Sequence, residues 1–117
     1  MSFIAWFVFV AAAMLEVAGD AVIRSGLRGG GLALVAAGAV MLGCYGLVVN
    51  QVAWDFSRLL GVYVGVFATV SVLCGRFVFG EDVPPSTWLG LAIILAGGLV
   101  IQWGATPPAS IAAAHQP

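Results

Sequence analysis

Glu16, Asp20 and Arg24 follow one another at intervals of four residues, so on an α-helix they share one face with Ala12. The apolar run that holds the two acids, Ser2 to Ile23, contains no other charge, and Arg24 follows it directly. An acid near the centre of a membrane-spanning helix costs about 2.5–3.5 kcal/mol on insertion scales. Glu16 therefore needs a compensating role or partner. Asp20 lies nearer the boundary, where Arg24 is placed to pair with it. Glu16 sits deeper, beside a like charge and away from any base in its own helix. A carboxyl in that setting can hold a proton at neutral pH and yield it when a cation or water arrives. This is the chemistry of proton-coupled cation transport; the plainer alternative is a protonated or hydrogen-bonded packing residue. Tyr45 and Tyr63, the two tyrosines of the chain, could present hydroxyls or ring faces to a cation in a cavity, or serve as core aromatics.

Other chemistries lack their residues. Cys44 and Cys74 form no CxxC or Cys/His cluster, so neither a metal site nor a disulfide framework is indicated. GxSxG, HExxH, Walker and dinucleotide motifs are missing, and the one histidine, His115, lies in the C-terminal tail. The expectation is a protein without enzymatic activity, cofactor or metal.

The elements that must position Glu16 follow from composition. Of 117 residues, 62% are hydrophobic and 8% charged, against roughly 25% charged in soluble domains. The four arginines and five acids give a net charge of -1, with no basic surface for nucleic acid. At about 20 residues per span, the chain reads as an all-α integral membrane domain over residues 1–103. Its four transmembrane helices are expected at about 2–23, 31–53, 59–79 and 87–103. Arg24 to Gly30 and Trp54 to Arg58 read as polar turns, Gly80 to Ser86 closes the third span, and Trp88 and Trp103 suit interfacial anchors. Residues 104–117, with Pro107 and Pro108, read as a flexible tail. The first run lacks the basic start of a signal peptide and carries two acids, so it is expected to stay in the mature protein.

Small residues mark surfaces where helices can meet. Gly61 and Gly65 form a GxxxG in the third span, Gly90 and Gly97 lie seven apart on one face of the fourth, and the second span offers Ala36, Ala37, Gly38, Gly43 and Gly46. Glycine is also simply common in membrane helices. Four short helices enclose a pathway poorly, so a homodimer is expected, parallel or antiparallel. Arg24, Arg28 and Arg76 on one side against Arg58 on the other favour both termini outside, and fit an inverted dimer as well.

Four spans in so short a chain, the acid within Leu15-Glu16-Val17-Ala18-Gly19, the aromatic stretch around Gly65 and the heptad Gly90 to Gly97 resemble the small multidrug resistance transporters. The resemblance covers the chain up to Trp103. It implies that Glu16 binds proton or substrate in a dimer, that Tyr63 lines the chamber, and that Gly90 and Gly97 join two protomers. The family's exporters usually carry Trp at the place of Tyr63 and a Pro-Thr-Gly turn before the third span. Here Ser57 to Val66, followed by Arg76 and by Thr87-Trp88-Leu89-Gly90, is similar to the YnfA-like branch.

The function expected is a proton-coupled exporter of a small hydrophobic or cationic solute in a bacterial cytoplasmic (inner) membrane. Glu16, Asp20, Tyr63 and Tyr45 would form the proton and substrate site. Two other readings fit the same residues: an accessory subunit of a larger membrane complex, with Glu16 and Asp20 as a fixed polar contact, or half of a lipid-carrier flippase, for which the four arginines are the available cations.

Overall fold

The structure, a computed structural model, describes residues 3–104; the tail expected over 104–117, with His115, lies outside the described residues apart from Gly104. Four helices follow one another: α1 (Phe3–Ser25), α2 (Leu32–Val49), α3 (Phe56–Phe77) and α4 (Pro85–Trp103). Each is long and apolar enough to cross a membrane, and no strand occurs among the described residues. At ~1.5 Å rise per residue, their lengths match a hydrocarbon layer of ~30 Å.

The helix ends depart from the sequence expectation, and each departure has a local cause. α1 runs two residues further, which puts Arg24 in its last turn, where the helix dipole favours a cation. The chain then leaves helical geometry between Gly26 and Gly30, with Gly29 at φ 111° and Gly31 at φ 98° reversing it into α2. α2 stops at Val49 rather than near 53, because two side-chain amides take up its last carbonyls. Asn50 Nδ2 donates to Gly46 O at 2.8 Å and Gln51 Nε2 to Leu47 O at 3.1 Å. α3 starts at Phe56, three residues early, as the Leu59 N–H donates to Asp55 O at 2.8 Å. Pro85, needing no N–H partner, opens α4.

Arg58, expected in a loop, thus belongs to the first turn of α3. Its guanidinium lies 3.8 Å from the centre of the Trp54 ring, and its Nε donates to Gln102 Oε1 at 3.2 Å. One side chain ties the α2–α3 connection to the end of α4. Arg58→Met keeps the apolar stem and removes both contacts, so SDS-titration unfolding should show a loss of ~1 kcal/mol.

α1 packs against both α2 and α3, whereas α4 packs against α3 alone. The buried core, Phe9, Ala12, Ala13, Val49, Leu59, Val62 and Tyr63, sits toward the end that carries the α2–α3 connection. All four helices turn large apolar side chains outward, as lipid contact requires. Glycines set the closest approaches. A Cβ at Gly38 would lie 2.7 Å from the Gly19 carbonyl oxygen, so α1 and α2 touch backbone to backbone there. On α3, Gly61 accommodates Ile101 and Gly65 faces Leu95, which seats the GxxxG against α4 of the same chain. Gly90 and Gly97 face open space.

Candidate functional site

Along α1, Trp6, Phe9, Ala13 and Glu16 succeed each other at steps of three or four residues, so the stripe that begins in the aromatic core ends on the acid. Tyr45 arrives from α2 and Tyr63 from α3. Their rings stack at 5.6 Å with an interplanar angle of 29°, and Phe67, one turn beyond Tyr63, continues the stack at 6.3 Å. Phe9 meets Tyr63 edge-on at 5.8 Å and Trp54 at 5.1 Å, while Trp6 closes on both Phe9 and Trp54. An aromatic column therefore runs from the α2–α3 connection to the level of Glu16, at centroid separations usual for favourable ring pairs.

Glu16 is half-buried at the foot of this column. Both tyrosine hydroxyls lie close enough to interact with its carboxyl. Tyr63 is 3% exposed, and among the described residues its hydroxyl, sealed from solvent, closes no hydrogen bond. A buried polar group so placed forfeits about 1–3 kcal/mol. On α3 the Thr69 hydroxyl is satisfied, donating to Gly65 O at 2.8 Å.

Glu16, Tyr45 and Tyr63 thus come together from three helices. Asp20 does not join them: it is exposed one turn further on and lines a separate cavity with Arg24, Phe79 and Glu81. Its charge still reaches the site, where it acts on Glu16. The expected Asp20–Arg24 ion pair is not formed among the described residues; an exposed pair spaced i,i+4 gains only ~0.3–0.5 kcal/mol, too little to hold a long arginine side chain in one rotamer. Cys44 is exposed and Cys74 half-buried, both as free thiols. Trp6, Phe9, Trp54 and Phe67 were not legible as site residues, although the three-residue step from Trp6 to Phe9 and the four-residue step from Tyr63 to Phe67 were open to view.

The model of the YnfA/UPF0060 family, described as uncharacterised, matches residues 3–106. A UPF0060 membrane protein of Streptomyces coelicolor is 38% identical over 99 residues, covering 81% of this chain and 87% of its own length. One from Mycolicibacterium vanbaalenii is 41% identical over 98 residues (80% and 89%), and one from Halalkalibacterium halodurans 33% over 101 (85% and 94%). No solved structure matches. A four-helix membrane chain matched over all its spans belongs to the YnfA/UPF0060 family, within the small-multidrug-resistance-like superfamily.

Proposed function

We propose that the protein is a small proton-coupled exporter of a hydrophobic or cationic solute in the bacterial cytoplasmic membrane, with Glu16 as the group that exchanges proton for solute. The observation that carries this reading is the buried Tyr63 hydroxyl, which closes no hydrogen bond among the described residues and lies near the Glu16 carboxyl. Two hydroxyls can orient the carboxylate or a bound solute, and the stacked faces of Tyr45, Tyr63 and Phe67 offer a desolvated surface to a cation. No bond in the solute is made or broken.

A second copy of the chain completes the site. α4 is held by α3 alone and turns Gly90 and Gly97 outward, which permits close approach by another helix. Glu16, half-buried in one chain, would then face its counterpart across the dimer.

The test is proton release from detergent-solubilised protein in weak buffer on addition of tetraphenylphosphonium, guanidinium and related cations. Release by wild type and none by Glu16→Gln supports the exchange. Silence of folded wild-type protein across the panel rejects it, and co-purification of a stoichiometric partner would move the reading to an accessory subunit.

Tyr63→Phe separates ligand contact from packing. Removal of the unsatisfied hydroxyl should raise stability by about 1 kcal/mol in SDS titration, while the solute concentration needed for half-maximal proton release rises about tenfold.

A further inference from the structure

Two adjoining cavities open at the end of the bundle that carries the α1–α2 and α3–α4 connections, away from the Tyr63 site. One, of 270 Å³, is lined by Val17, Asp20, Ala21, Arg24, Phe79 and Glu81. The other, of 330 Å³, is lined by Ala21, Arg24, Ser25, Arg28 and Phe79. Ala21, Arg24 and Phe79 belong to both, so the two form one groove with acids toward one side and arginines toward the other. Among the described residues, none of these four charged side chains closes an ion pair with another.

Glu81 is held in place by the fold. Gly80, at φ 65°, turns the α3–α4 connection back on α3, and the Glu81 N–H donates to Gly75 O at 2.9 Å. The Glu81 carboxyl then covers buried Gly75, where any Cβ would collide with Oε1. An acid from the far connection is thereby fixed beside the α1 face that carries Asp20. Leu27, Phe77 and Val78, all exposed, flank the region with apolar surface, which sets the groove at the boundary between acyl chains and headgroups.

Arg24, in the last turn of α1, and Arg28, in the turn that follows it, line the groove with Ser25 and supply donors suited to a phosphate, while Asp20 and Glu81 suit a primary ammonium. We infer that this groove binds a phosphoethanolamine group, phosphate on the arginines and amine on the acids, as carried by an aminophospholipid or by a free zwitterion. A net-neutral ligand fits a groove with two charges of each sign better than an anionic lipid does.

Native mass spectrometry of the purified full-length protein tests this with dioleoyl phosphatidylethanolamine, its phosphatidylcholine analogue, whose methylated amine donates no hydrogen bond, and its phosphatidylglycerol analogue, which has no amine. Wild type should retain the ethanolamine lipid about tenfold better than either. Asp20→Asn with Glu81→Gln should level ethanolamine with glycerol lipid, and Arg24→Gln with Arg28→Gln should lower retention of all three. All four side chains are exposed, so these polar replacements leave packing intact, as circular dichroism would verify. Competition by free O-phosphoethanolamine at matched concentration assigns the group to a soluble ligand; its failure to compete assigns it to the lipid. Equal retention of the three lipids by wild type, an unchanged ethanolamine preference in the acid variant, or unchanged retention in the arginine variant overturns the inference.

Discussion

Glu16→Gln is expected to lower proton-driven solute transport by about a hundredfold or more in reconstituted vesicles while the four helices stay assembled. Glutamine keeps the shape of the side chain, so the contacts with Tyr45 and Tyr63 survive in part. What disappears is a group able to bind a proton in one step and a cation in the next. Losing a charged partner in a desolvated site costs about 3 kcal/mol or more, which is about two decades in affinity. Stability should hold or rise, since a neutral amide avoids the cost of a carboxylate in hydrocarbon. Solute uptake driven by an imposed pH gradient is the measurement, with SDS titration as the control for folding. Wild-type coupling in the glutamine variant would remove Glu16 from the mechanism. Glu16→Asp withdraws the carboxyl by one methylene from the tyrosine hydroxyls, so it should keep proton release but need more solute to drive it.

The second large effect is structural. Gly38→Val should destabilise the bundle by ~3 kcal/mol or more, because the added carbon meets the Gly19 carbonyl oxygen at 2.7 Å and the Ile23 backbone N at 2.9 Å. No rotamer change relieves a clash with backbone. α1 and α2 would have to separate, which also draws Tyr45 away from Glu16, so transport should fall with stability. Gly43→Val on the same helix provides the comparison: its Cβ position has nothing within 4 Å, and its stability should stay within ~0.5 kcal/mol of wild type. Equal unfolding midpoints for the two variants would show that the Gly19–Gly38 crossing does not set the hairpin.

The spans were legible because hydropathy alone identifies them, and the four helices fall where the apolar runs lie. Their ends were less so. The stop at Val49 depends on which carbonyls the Asn50 and Gln51 amides reach, and the start at Phe56 on the extended backbone of Asp55, at ψ 142°. Glu16 stood out as an acid where charge is costly, and Tyr45 and Tyr63 as the polar aromatics of the spans. Their meeting on three helices was not readable, since one sequence does not reveal which faces touch. Asp20 shows the same limit. A four-residue spacing puts Asp20 and Arg24 on one face, yet the side chains line a groove completed by Glu81 and Phe79, some 60 residues away in sequence. Gly19 was visible as part of the stretch around Glu16, but its close approach to Gly38 was not.

The tight turn between α1 and α2 bears on how the chain enters the membrane. α1 carries the costly acids, whereas α2 holds no charged residue over its 18 positions. Only Gly26 to Gly31 separate the two helices, and their backbones touch at Gly19 and Gly38. Partitioning of the two as a single hairpin would let uncharged α2 offset the penalty that Glu16 and Asp20 impose on α1. If the two helices insert together, a charge introduced into α2 would reduce insertion of α1 as well, measurable as the membrane-integrated fraction of the α1–α2 hairpin.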